Sequence, residues 1–183
     1  VRAKAQGTAV SPRDLALALS IIVLWGANFT VIRIGLDGVP PLLLAALRYL
    51  VVAASALPFV PRPKAPVKYW IAYGLTVGAG QFGALFLAMG LGMPAGLASV
   101  VLQSQSVFTL VFAAWLLGER IPAARIAGMV VSGAGLAIIA SSLDGAGTGP
   151  IPPGALLLAL LAAASWGASN VVIRVAAQAA SAV

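Results

Sequence analysis

The chain has 183 residues, of which 61% are hydrophobic and only 8% charged, and its mean hydropathy is +1.05. A soluble domain of that length cannot bury so much apolar surface, since ordinary globular chains are about 25% charged, so the composition implies an integral membrane protein. The formal charge of +7 is spread between apolar runs rather than gathered on one face, which argues against a nucleic-acid partner, and the lack of Cys and His excludes disulfides, thiol chemistry and the usual zinc sites, leaving no cofactor implied.

Six apolar runs are long enough to cross a hydrocarbon core of about 30 Å as helices: 15–36, 40–60, 69–91, 95–117, 122–143 and 154–177. The basic start followed by an apolar run has the form of a secretory signal, but this run is longer than a signal core and five more follow it. The chain opens on Val, which reads as a fragment or a non-standard start. The connections are short and carry Pro and Gly, as in Gly38-Val39-Pro40-Pro41 and Pro61-Arg62-Pro63-Lys64. The longest, 144–153, resembles a linker between two units. The expected division is a cytoplasmic segment 1–14, a five-helix unit 15–143, a periplasmic linker 144–153 and a further helix within 154–183.

Cation placement sets the expected orientation. Arg2, Lys4 and Arg13 precede the first run, Arg62, Lys64 and Lys68 follow the second, and Arg120 and Arg125 follow the fourth. The alternate connections hold no Lys or Arg, and two of them carry Asp37 and Asp144. By the positive-inside rule the N-terminus is cytoplasmic, which puts Tyr69, Trp70 and Trp115 in the cytoplasmic aromatic belt.

The fourth run is the centre of the reading. Pro94 suits a helix start and Gly118 the position just past a helix end. Ser99, Gln103 and Ser106 follow helical spacing and fall on one face, opposite Val100, Leu102 and Val107. Such a polar stripe is expected to face protein or water rather than lipid, and so to line a path.

The sixth run repeats the first. Leu24-Trp25-Gly26-Ala27-Asn28-Phe29-Thr30-Val31-Ile32-Arg33 aligns with Ser165-Trp166-Gly167-Ala168-Ser169-Asn170-Val171-Val172-Ile173-Arg174 at an offset of 141 residues. Five crossings separate the copies, so the second must enter the membrane from the opposite side, the arrangement of secondary transporters.

These residues, together with Leu47-Arg48-Tyr49, Gly92-Met93-Pro94-Ala95-Gly96-Leu97-Ala98-Ser99 through Gln105, and Leu117-Gly118-Glu119-Arg120, resemble the EamA family of the drug/metabolite transporter superfamily. The fourth-run stretch is similar to the O-acetylserine/cysteine exporter branch. The resemblance implies an all-α integral membrane fold in which this chain supplies one five-helix EamA repeat and the first of the helices of a second, inverted repeat. It implies multi-pass residence in the bacterial inner membrane, export of amino acids or related metabolites, and a missing second repeat or a second chain as partner.

Seven residues are candidates for contact with a polar or zwitterionic substrate: Trp25, Asn28, Arg48, Gln81, Ser99, Gln103 and Ser106. No acid lies inside an apolar run, so the partner of Arg48 is a substrate carboxylate, or else Arg48 snorkels or bonds helix-end carbonyls. Trp25 and Trp166 are mid-run and serve packing first. Gln81, Gln103 and Asn28 suit a pore, with interhelical bonding as the alternative. Arg33 and Arg174 read as interface anchors, with Asp37 placed to pair with Arg33. Gly74–Gly78 and Gly92–Gly96 allow close helix contact. The rivals are a small multidrug-type exporter acting as a dimer, which lacks here the carboxylate it needs in its first helix, and a membrane scaffold. An enzyme is not expected, because the runs hold no base or activated nucleophile.

Overall fold

The computed structural model of the chain describes residues 11–61, 65–142 and 151–181. Arg2, Lys4, Arg62, Lys64, Asp144 and most of the 144–153 linker lie outside these residues. Within them every regular element is helical: α1 (Pro12–Leu36), α2 (Pro41–Ala56), α3 (Val67–Tyr73), a π-helical stretch (Gly74–Gly83), α4 (Ala84–Gly90), α5 (Ala95–Leu102), α6 (Gln105–Leu117), α7 (Ala123–Ser142) and α8 (Pro153–Ser181). Four continuous stretches, Pro12–Leu36, Val67–Gly90, Ala95–Leu117 and Pro153–Ala180, are long and apolar enough to cross a membrane. Pro41–Ala56 and Ala123–Ile139 are shorter apolar helices. The chain is a multi-pass membrane protein.

Local chemistry explains most of the boundaries. The hydroxyl of Ser11 accepts from the Asp14 amide at 3.1 Å, and Asp14 stands at the positive end of α1. Prolines open α1, α2 and α8, where their missing N–H costs nothing. Gly118 closes α6 at φ +66°, a conformation that excludes most side chains. The helix α2 stops at Ala56 rather than running to residue 60, because Pro58 has no N–H to continue the hydrogen-bond ladder.

Two runs expected as plain helices are not plain. The third passes through ten π-helical residues that include Gly74, Gly78, Gly80 and Gly83. The fourth breaks at Gln103–Ser104, between α5 and α6. There the amides of Gln103, Ser104, Ser106 and Val107 reach carbonyls three residues back, at 2.9–3.2 Å, so the chain tightens into a 3₁₀ turn. The hydroxyls of Ser99, Ser104 and Ser106 each donate to a carbonyl three residues earlier, and such back-bonding bends helices.

Helix directions follow from side-chain neighbours. The start of α2 at Pro41 lies against Gly90, its middle at Tyr49 lies against Val77 and Phe82, and its end at Leu57 shares a groove with Tyr69. The third span is therefore antiparallel to α2. The C-terminal half of α8, at Val172 and Ile173, shares that groove, so α8 runs with α2 and against α1. The core forms where Ala155, Ala159, Ala162 and Ala163 of α8 meet Leu85, Phe86, Met89, Leu97 and Val101. Small residues at this spacing let α8 sit deep between the third and fourth spans. Most large side chains of α1 and α7 face outward, as a lipid-facing surface requires.

Candidate functional site

Arg48 is the eighth residue of the 16-residue α2, so about 11–12 Å of helix separates it from either end. Its guanidinium carbon lies 4.2 Å from the centroid of the Phe82 ring, a cation–π contact. Phe82 meets Tyr49 and Phe86 edge-on, at 5.8 and 6.3 Å, and the Tyr49 hydroxyl donates to the Val77 carbonyl at 3.4 Å. Both Val77 and Phe82 belong to the π-helical stretch, a geometry concentrated at functional sites. Arg48 Nη1 is buried without a hydrogen-bond partner, and Arg48 forms no ion pair among the described residues. The helix-end carbonyls offered as an alternative partner do not receive it. Gln81, beside Phe82, is 4% exposed, and its side chain makes no hydrogen bond among the described residues.

Trp25 of α1 and Trp166 of α8 are in contact, with ring centroids 5.4 Å apart and planes inclined at 57°. They are also equivalent positions in the internal repeat, so the two copies meet at their own matching residue. Asn28, three residues on, is half-buried, and its side chain makes no hydrogen bond among the described residues.

The stripe of the fourth span lies on its more open side: Ser99 is half-buried, whereas Gln103 and Ser106 are exposed. Gln105 and Thr109 are the polar groups that this span turns toward α8. Asn170 Nδ2 donates to Gln105 Oε1 at 2.8 Å and to Thr109 Oγ1 at 3.0 Å, and Thr109 Oγ1 donates to the Gln105 carbonyl at 2.8 Å. The reasoning that selected Asn28 and Gln103, an amide within an uncharged run, applies equally to Asn170 and Gln105, which were passed over. Among the described residues one side-chain hydrogen bond joins two of the seven candidates, from the Ser106 hydroxyl to the Gln103 carbonyl at 3.0 Å, and no two of their side chains bond each other.

At the C-terminal end of α8, Arg174 pairs with Glu119 in the turn after α6, so it is held by a neighbouring element rather than standing only as an interface anchor. Among the described residues its repeat equivalent Arg33 reaches only Asp37 on its own helix end, at 3.9 Å, with both side chains largely exposed. A groove of about 770 Å³ lies between the ends of α2 and α8 and the start of the third span. Its walls, among them Leu57, Tyr69, Trp70, Tyr73 and Ile173, are mainly apolar and include none of the seven candidates.

The sequence profile of the EamA-like transporter family matches residues 14–141. A protein of Salmonella typhimurium named "Probable amino-acid metabolite efflux pump" is 46% identical over 163 residues, covering 88% of this chain and 54% of that protein. Its namesake in Escherichia coli K12 is 44% identical with the same coverage. A "Probable terminal-alkyne amino-acid exporter" of Streptantibioticus cattleyicolor is 37% identical over 131 residues, 68% of this chain and 43% of that protein. The chain thus spans about half the length of the curated relatives it matches. No solved structure matches significantly.

Proposed function

Because the chain belongs to the EamA-like transporter family, we propose that it is part of an inner-membrane secondary transporter that exports amino acids or related small metabolites by alternating access. Residues 15–143 are then one five-helix repeat, and 154–183 open a second repeat of inverted topology, after a periplasmic linker at 144–153. The N-terminus lies in the cytoplasm, by the cation bias of the connections. The observation that carries this reading is the contact of Trp25 with Trp166. Residues equivalent by a two-fold axis in the membrane plane touch their own copies only on that axis. Antiparallel α1 and α8 meeting at matched tryptophans are what such an axis produces.

In this reading the exposed polar side of the fourth span, with Ser99, Gln103 and Ser106, faces the rest of the transporter across the path. Trp25, Asn28, Arg48 and Gln81 are placed on helices bordering the same path. The names of the efflux-pump relatives at 44–46% identity support an amino-acid class of substrate, and the likeness to the O-acetylserine/cysteine branch narrows it. The test is uptake of labelled cysteine and O-acetylserine by inside-out membrane vesicles from cells producing the full protein. Accumulation above vesicles lacking the protein is expected; equal uptake would sink the exporter reading.

A further inference from the structure

We propose that Arg48 and Phe82 form the anchor for the carboxylate of the transported molecule, a subsite that rests on the exporter reading and fixes the substrate class as carboxylates rather than neutral or cationic metabolites. A guanidinium over an aromatic ring uses its face for the cation–π contact and keeps its in-plane N–H groups free. Those donors match the two oxygens of a carboxylate. Here Nη1 is buried and has no acceptor, while the carbon of the guanidinium stays 4.2 Å from the Phe82 centroid. The ring is itself braced by Tyr49 and Phe86.

Among the described residues the chain offers Arg48 no counter-charge. Its four acids are Asp14 in the first turn of α1, Asp37 just past α1, Glu119 in the turn after α6, and Asp144 in a connection. Asp37 pairs with Arg33 and Glu119 with Arg174. A lipid phosphate sits at the membrane surface, whereas Arg48 is midway along its helix. A half-buried cation at that depth, with no ion-pair partner among the described residues, is destabilising unless something brings it an anion, and a small solute travelling through the protein reaches it where a headgroup does not. Gln81, buried and next to Phe82 in sequence, is an amide whose side chain makes no hydrogen bond among the described residues.

The test compares an exported amino acid with its carboxamide and its decarboxylated amine, using the full protein in proteoliposomes. Wild type is expected to prefer the acid. Arg48→Gln is expected to weaken recognition of the acid by about 10- to 100-fold, the worth of a charge-assisted pair, while leaving the carboxamide unchanged. Phe82→Leu is expected to raise KM for the acid several-fold with kcat less affected. A second readout needs no transport: Arg48→Met removes a half-buried charge with no ion-pair partner among the described residues, so the empty protein should melt higher than wild type, yet lose the rise in Tm that the amino acid gives wild type. A purely structural Arg48 would make that variant melt lower. Wild type that exports amino acids while Arg48→Gln keeps the full preference for acid over carboxamide overturns this assignment alone. Wild type that exports no amino acid overturns the exporter reading, and the assignment with it.

Discussion

The tight fit of Gly167 on α8 against α6 gives a quantitative test of the fold. A methyl group at Gly167 would lie 2.6 Å from Phe108 Cβ, 2.9 Å from the Thr109 nitrogen and 3.0 Å from the Phe108 carbonyl carbon. Carbon atoms pack at about 3.5–4.0 Å, so Gly167→Ala must push α8 from α6 by roughly 1 Å. One turn further along, the Asn170 bonds to Gln105 and Thr109 stand at 2.8 and 3.0 Å. The same displacement carries them beyond the ~3.2 Å reach of a good N–H···O bond. Overpacking costs about 1–3 kcal/mol, and each lost intramembrane hydrogen bond about 0.6 kcal/mol. Replacing a helical Gly by Ala returns about 0.5–1 kcal/mol. The balance is a loss of about 2 kcal/mol, measured as reversible unfolding of the purified protein in mixed detergent and SDS micelles. Gly154→Ala on the same helix meets nothing within 4 Å and is expected within about 0.5 kcal/mol of wild type. Phe108→Ala should not rescue the Gly167 variant, because the clashing atoms are backbone and Cβ. A Gly167→Ala protein that unfolds with wild type would refute the α6–α8 packing.

Asn170→Leu strips the donor from both Gln105 and Thr109 and should destabilise by about 1–2 kcal/mol in the same unfolding assay. Adding Gln105→Leu should recover part of that loss, since it removes the amide left without its partner; no recovery would mean that the two amides are not coupled. These 183 residues hold no cysteine, so a single introduced one is the sole maleimide target within them. Asp37→Cys should react with an impermeant maleimide from the periplasmic side and Lys68→Cys only after the membrane is breached. Reaction of both from the same side would contradict the proposed topology.

What the sequence made legible was what hydropathy and local capping decide. The apolar stretches and the helix end at Gly118 depend on neighbouring residues alone; four of the six stretches form helices long enough to span, while the second and fifth form shorter apolar helices. The fourth span shows where that stops. Gln103 and Gln105 are two residues apart, which on a helix is about 200°, so they point to nearly opposite sides. Spacing alone cannot say which amide meets protein, and the partner that decides it, Asn170, lies 65 residues away. The break at Gln103–Ser104 was equally invisible to hydropathy, because it comes from hydroxyls bonding backward to carbonyls. The π-helical turn count of Gly74–Gly83 leaves no mark in an apolar run either, although the glycines that permit it are plain. Arg48 shows the converse case: its lack of an acid was readable in the sequence, but only the fold shows the ring beneath it and the missing acceptor.

The repeat also has a consequence for motion. Trp25 and Trp166 touch, but eight residues later Arg33 and Arg174 have parted toward opposite ends of their antiparallel helices. One of these matched arginines is clasped by Glu119 from another element, while the other reaches only its own helix end. In the proposed transporter, two copies of one motif would then stand in two states, the asymmetry that alternating access requires, and the Arg174–Glu119 pair would act as a latch at the end where α6 and α8 finish. Both side chains are nearly half exposed, at 45% and 44%, so the pair contributes at most about 1 kcal/mol. That is small enough to be broken in each cycle, yet enough to bias a balanced equilibrium about five-fold. Glu119→Gln is accordingly expected to speed maleimide labelling of a cysteine placed at Ser99, with reagent supplied from the side of Lys68, by up to about that factor. An unchanged labelling rate would show that the pair is an ornament of the surface and not a latch.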